Sequence, residues 1–180
     1  MKKKIIPLEC GGLLFVLAAS AFMLRFYEWN NHELLGILFG AVNGSVWESC
    51  KTLLLPYLLW GMIEVLAVRV SLYRFAVAKT AGLYLLGVLY LALRLCGMHG
   101  IIAAVLSLAA AFAVSAALYS SDLYLRELFA PAVALLFLFV ALYFSLTPFP
   151  PKHELFVDPA TGMYGIIPEH LDYGAIVMSR

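Results

Sequence analysis

The chain has 180 residues, of which 64% are hydrophobic and 13% charged, and its mean hydropathy is +0.94. Soluble domains are roughly 45–50% apolar and about 25% charged, so this composition argues against a soluble fold. A formal net charge of +1, without Lys and Arg clustered among aromatics, argues against nucleic acid as a partner.

Five apolar segments approach the length of about 20 residues that a helix needs to cross a bilayer. The predicted fold is all-α, a polytopic membrane helix bundle of about five transmembrane helices over residues 1–148. A short irregular or hairpin tail, residues 149–180, follows it. The predicted helices are residues 6–24, 46–70, 76–95, 100–118 and 131–146.

The first span follows three lysines, a pattern that also describes a signal peptide with a cleavage site at residues 19–21. Glu9, Gly11 and Gly12 interrupt the run, which favours an uncleaved helix. The next apolar run, residues 34–42, is too short to span a bilayer. It is predicted to be a re-entrant or an interfacial segment.

The second span begins with a capping box, Ser45-Val46-Trp47-Glu48. Ser45 is expected to accept from the Glu48 amide, and the Glu48 side chain to reach back to Ser45. Lys51 lies three residues after Glu48, which predicts an interfacial ion pair beside a Trp47 anchor. The alternative is a partly buried Glu48 that binds a cation or relays protons. Pro56 is expected to kink this helix.

The third span carries Lys79 and Arg94 near its ends, and both are predicted to snorkel to opposite headgroup layers. In the fourth span, small residues recur every four positions and predict a helix-packing seam. The alternative is a permeation path lined by the two serines. The seam consists of Ala103, Ser107, Ala111 and Ser115.

The tail contains Asp158-Pro159-Ala160-Thr161-Gly162, which is typical of a turn and predicts a small hairpin. Alternatively, the tail folds back over the Glu48 end of the second span, with Asp158 near Lys51 or Arg25. The cysteines Cys10, Cys50 and Cys96 are odd in number and widely spaced, so we interpret them as packing residues.

Cytoplasmic loops carry the excess of basic residues. With the N-terminus in the cytoplasm, residues 2–4 and the group Arg69, Arg74 and Lys79 lie inside. The tail is then extracytoplasmic, and the chain is a multi-pass protein of the cell membrane. This orientation gathers a candidate polar site on the outer side: Glu28, Asn43, Ser45, Glu48, Lys51, His99 and Asp158.

Glu28, His32 and Glu33 share one face if their stretch is helical, and carboxylate with imidazole can bind a metal. No His-Glu-x-x-His motif is present, so solvated loop residues are expected, with no metal and no cofactor. No nucleophile elbow and no phosphate-binding loop occurs either.

Three stretches resemble a family of small, uncharacterised multi-pass bacterial membrane proteins. They are Tyr27-Glu28-Trp29, residues 43–51 (Asn-Gly-Ser-Val-Trp-Glu-Ser-Cys-Lys) and residues 158–165 (Asp-Pro-Ala-Thr-Gly-Met-Tyr-Gly). Two positions depart from the family pattern: Gly44 replaces its first Glu and Ser49 replaces its His. The resemblance implies the topology and no particular activity.

The function expected is that of a non-enzymatic binding, scaffold or assembly protein. A small transporter or channel is the first alternative, and a membrane enzyme that uses the outer Glu, His and Asp residues is the second. The expected partners are the lipid bilayer and either a second copy of the chain or another membrane protein.

Overall fold

The computed structural model describes residues 2–67, 71–121 and 123–166, with side chains from Pro7 onward. Among these residues, five helices are long and apolar enough to cross a membrane, which confirms the predicted polytopic all-α bundle. The helices are α1 (Lys2–Trp29), α2 (Leu34–Phe39), α3 (Val46–Ala67), α4 (Leu72–Leu95), α5 (Gly100–Ser120) and α6 (Phe129–Ser145). A 3₁₀ turn, Arg126–Leu128, directly precedes α6, and a second, Glu154–Phe156, lies in the tail.

Helix α1 continues beyond the predicted end at residue 24 because nothing between Leu13 and Trp29 breaks a helix. It stops where Asn31 and His32 take positive φ angles of 48° and 59°. Such angles belong to the left-handed region and cannot continue an α-helix.

Helix α2 is a six-residue helix that packs against the end of α1. A Cβ added at Gly36 would lie 3.0 Å from the Cα of Tyr27, so the missing side chain permits this close approach. The short apolar run is therefore helical and does not span the bundle.

The start of α3 follows only half of the predicted capping box. The Glu48 amide donates to the Ser45 hydroxyl at 3.3 Å, as predicted. The predicted second hydrogen bond, from the Ser45 amide to the Glu48 side chain, was wrong, because the Ser45 amide donates instead to Oδ1 of Asn43 at 2.8 Å. The Glu48 carboxylate is thereby free to accept from the Val42 amide at 3.1 Å and to pair with Lys51. The predicted end of this span at residue 70 lies outside the described residues.

The predicted stripe of α5 faces the interior of the bundle. Its four members, Ala103, Ser107, Ala111 and Ser115, are all 0% exposed. Helix α4 packs against this helix, and a Cβ added at its Gly82 would lie 3.0 Å from the Ala111 carbonyl oxygen. Small residues on both helices allow the backbones to approach closely.

The prediction that Lys79 snorkels to a headgroup layer was wrong. Its side chain is 1% exposed and pairs with Glu9 of α1 and Glu64 of α3. A partner of opposite charge inside the bundle removes the reason for the lysine to reach for water. Arg94 remains near the end of α4, where it donates to the Met98 carbonyl at 2.8 Å.

The tail forms the predicted turn with a minimal hairpin. The Gly162 amide donates to the Asp158 carbonyl at 2.8 Å, and the Asp158 amide donates to the Met163 carbonyl at 2.9 Å. One antiparallel bridge joins Val157 to Tyr164. Gly162 takes a φ of +69°, which glycine adopts without strain. The tail beyond residue 166, including His170, lies outside the described residues.

Candidate functional site

A buried node of polar side chains joins the first turn of α3 to the end of α6. Nζ of Lys51 lies 2.6 Å from Oε2 of Glu48, and the two residues are 0% and 2% exposed. The Thr147 hydroxyl donates to Oε1 of Glu48 at 2.7 Å, and Lys51 donates to Thr147 at 3.0 Å. The three side chains thus form a closed ring. The predicted interfacial pair is therefore a desolvated pair, in which each charge has its counter-charge.

The same node holds the chain between α1 and α3. Lys51 donates to the Ile37 carbonyl in α2 at 3.3 Å, and Glu48 accepts from the Val42 amide at 3.1 Å. Both contacts are made to the backbone between α1 and α3. The node therefore holds this connecting segment in addition to capping α3.

The tail folds back onto the same end of α3. Oδ1 of Asp158 accepts from the Gly44 amide at 3.0 Å, and Nδ2 of Asn43 donates to the Gly165 carbonyl at 2.8 Å. The rings of Trp47 and Phe156 stack 5.7 Å apart. The contact of Asp158 at this helix end is thus a backbone amide and not the expected Lys51 or Arg25 side chain.

A polar cavity of about 420 Å³ lies between the ends of α1 and α3 and the tail. Leu24, Tyr27, Ala41, Val42 and Gly44 complete its wall. Ser49 also lines it. The polar cavity takes its remaining polar groups from Glu28, His32, Asn43, Asp158 and Thr161.

An amphipathic cavity of about 550 Å³ adjoins the polar cavity and shares Leu24 and Ser49 with it. Arg94 and His99 lie at one end of it, beside the start of α5. Its apolar wall consists of Leu17, Ala21, Leu24, Leu53, Ile101 and Ala104.

Arg94 brings a guanidinium to the amphipathic cavity. One Nη donates to the Met98 carbonyl at 2.8 Å, and the other Nη makes no hydrogen bond among the described residues. His99 is exposed, and its side chain does not cap α5. A guanidinium with a free donor beside a cavity suits a carboxylate or a phosphate.

The predicted polar site thus divides into three parts. Glu28, Asn43 and Asp158 line the polar cavity, and His99 lines the amphipathic cavity. Ser45, Glu48 and Lys51 are buried at the end of α3, beneath them.

The hypothesis that Glu28, His32 and Glu33 bind a metal required all three to lie on one helical face. Because α1 ends at Trp29, His32 and Glu33 lie beyond the helix that carries Glu28, and this geometric basis is lost. The His32 ring stacks on Tyr27 instead, with centroids 4.5 Å apart. Within the described residues, no three His, Cys, Asp or Glu side chains are grouped to hold a metal ion.

Sequence reasoning missed a second charged group at the opposite end of the bundle. We call Glu9, Glu64 and Lys79 the acidic triad; Nζ of Lys79 lies 3.1 Å from Glu9 and 2.5 Å from Glu64. A signal was present, since Glu9 and Lys79 lie near the start of their predicted spans and Glu64 near the end of its own, which places all three on one side of the bundle when successive spans alternate in direction. Thr147 and Arg94 were also missed as site residues, because neither belongs to a motif.

Comparison with curated proteins gave no match, and comparison with solved structures gave none either. A family model matches residues 2–166, which include every helix described above. The chain therefore belongs to this family, the family of unknown function DUF6512.

Proposed function

We propose that the protein is a multi-pass protein of the cell membrane that binds an amphipathic molecule with an anionic head group. In this proposal the N-terminus is cytoplasmic, because residues 2–4 and a second basic group then lie inside. The two cavities, the node and the tail accordingly lie on the outer side.

The observation that carries the proposal is the amphipathic cavity. It has a cationic end and an apolar wall, which matches the two parts of a lipid-like ligand. Arg94 supplies a charged donor for a phosphate or carboxylate. Leu17, Ile101 and Ala104 offer apolar surface on which an acyl chain is buried.

A free inorganic anion fits this cavity less well than an amphiphile, because it would leave the apolar wall without a ligand. A neutral hydrocarbon would leave the Arg94 guanidinium without an acceptor. Ala21, Leu24 and Ile101 are exposed on the outside of the bundle, so the cavity opens toward the side of α1 and α5, where lipid is available.

The test measures binding of a short-chain phosphatidylglycerol to the detergent-solubilised protein by native mass spectrometry. Arg94→Gln is expected to weaken binding roughly tenfold or more, because a charge-assisted hydrogen bond is lost. The exposed Arg126 lies in the 3₁₀ turn before α6, and Arg126→Gln is the matched control. Equal binding by Arg94→Gln and wild type would reject the proposal, as would equally tight binding of inorganic phosphate.

A second variant tests the apolar wall alone. Ala21→Phe fills the amphipathic cavity without touching Arg94 and is expected to exclude the lipid. Ala117→Phe places the same side chain on an exposed position of α5 and serves as the control for size.

A further inference from the structure

We propose that the acidic triad is a buried proton-binding site at the end of the bundle opposite the two cavities. Lys79 of α4 lies between Glu9 of α1 and Glu64 of α3. Its ammonium nitrogen is 3.2 and 3.1 Å from the two oxygens of Glu9 and 2.5 Å from Oε2 of Glu64. The exposures of Glu9, Glu64 and Lys79 are 5%, 3% and 1%.

The charges of the triad do not balance. Two carboxylates face one ammonium, and none of the described ion pairs brings a second Lys or Arg to them. A net charge inside a membrane is expensive. One added proton, held between the two carboxyl groups, makes the triad neutral.

The node at the other end provides an internal comparison. There, one carboxylate, Glu48, faces one ammonium, Lys51, so the pair is neutral without an added proton. The same protein therefore holds a one-to-one and a two-to-one arrangement of buried charges. Only the second leaves a place for a proton.

Aromatic rings surround the ammonium group of Lys79. Its Nζ lies 5.1 Å from the ring centroid of Tyr57, 5.2 Å from that of Phe112 and 5.7 Å from that of Tyr119. The negative faces of such rings attract an ammonium. The added proton is therefore assigned to the carboxyl groups that face this ammonium.

Glu64 has acceptor capacity left for that proton. Although Glu64 is paired with Lys79, neither of its oxygens accepts a hydrogen bond of good geometry from the described residues. The buried hydroxyls of Tyr57 and Tyr119 lie beside the triad, and the Ser115 hydroxyl lies within reach of both. Hydroxyls both donate and accept, so they can stabilise either protonation state.

The packing around the triad depends on one glycine. A Cβ at Gly82 would overlap the Tyr57 hydroxyl, so the tyrosine occupies space that this glycine leaves open. A Cβ at Gly61 would make an ordinary contact with the Lys79 side chain at 3.5 Å.

The location allows a proton to enter from water. Glu64 lies within the last turn of α3, roughly 5 Å from its end at 1.5 Å per residue. The step is a simple protonation, in which a carboxylate takes a proton from water on that side and becomes a carboxylic acid. Among the described residues, the titratable groups facing Lys79 are Glu9, Glu64, Tyr57 and Tyr119, from α1, α3 and α5.

A proton suits this site better than a metal cation. No three acidic, His or Cys side chains among the described residues converge as ligands. A sodium ion beside the fixed ammonium would also meet a like charge, whereas a proton is held within the carboxyl group itself.

Infrared difference spectroscopy of the protein reconstituted in vesicles tests the proposal. Between low and high pH, the wild type is expected to lose the carbonyl stretch of a buried carboxylic acid. Glu64→Gln and Glu9→Gln each leave one balanced pair and are expected to lose that signal. Glu127 is exposed, so Glu127→Gln is the matched control and is expected to retain it.

A further variant keeps the test decisive if a glutamine variant folds poorly. Lys79→Met leaves two carboxyl groups without a cation, so the signal is expected to increase about twofold. A wild type without the signal at any pH would overturn the proposal, as would a signal that persists in both glutamine variants. Loss of the signal on replacing choline chloride by sodium chloride would also overturn it, in favour of a sodium site.

Discussion

The hydroxyl of Thr147 donates to Oε1 of Glu48 at 2.7 Å and so joins the end of α6 to the first turn of α3. Residues far apart in the chain thereby connect at the end of the bundle where the two cavities lie.

Thr147→Val is expected to lower the free energy of unfolding by about 1–3 kcal/mol, because the valine leaves buried polar partners unsatisfied. Unfolding in mixed detergent, followed by circular dichroism, measures the change. Ser145→Ala is the control, since Ser145 is exposed and its hydroxyl bonds only to its own helix. Equal stability of the two variants would contradict the role given to Thr147.

Glu48→Met alone is expected to destabilise the protein by about 3–5 kcal/mol, because Lys51 is left as a buried charge without its partner. The double variant Glu48→Met with Lys51→Met removes both charges and is expected to recover a large part of that loss. A double-mutant cycle measures the coupling. A purely additive cycle would show that the two charges do not depend on each other.

Gly82→Ala is expected to destabilise the protein by about 1–3 kcal/mol, because the added Cβ overlaps the Tyr57 hydroxyl in a packed interior. Gly87 lies on the same helix, and the nearest atom to its added Cβ is at 3.6 Å. Gly87→Ala is therefore expected to be neutral or slightly stabilising. Rescue of Gly82→Ala by Tyr57→Phe would identify the hydroxyl as the source of the clash.

Asp158→Ala is expected to release the tail from the start of α3. The carboxylate accepts from the Gly44 amide at 3.0 Å and from the Thr161 amide at 3.1 Å. Hydrogen–deuterium exchange at these two amides should accelerate, whereas Glu154→Ala, at an exposed position, should leave it unchanged. Unaltered exchange in Asp158→Ala would show that the tail is held by other contacts.

The helices, caps and turns could be predicted from the sequence better than the side-chain contacts between helices. Apolar length alone predicts the five spans, and the Ser45 cap and the Asp158 turn are local patterns that need no knowledge of the neighbours. The predicted end of α1 at residue 24 was wrong, because the charge of Arg25 does not end the helix, which continues to Trp29.

Lys79 shows why the pairings could not be predicted. Considered with its own helix alone, a lysine near a membrane surface has water as its best partner. Its actual partners come from α1 and α3, and only the arrangement of the helices places them there. Glu48 and Lys51 were predicted to pair because they are neighbours on one helix. The contact of Lys51 with Thr147 depends on how α6 packs in the bundle, which the local sequence does not show.

Photocrosslinking tests most directly whether the amphipathic cavity binds a lipid. A phosphatidylglycerol with a photoactivatable group in its acyl chain is incorporated into vesicles with the protein, and the labelled residues are mapped by mass spectrometry. The account predicts labels concentrated at Leu17, Ala21 and Ala104 and lost in Arg94→Gln. Labels spread equally over outward residues such as Phe137, which is 74% exposed, would contradict it.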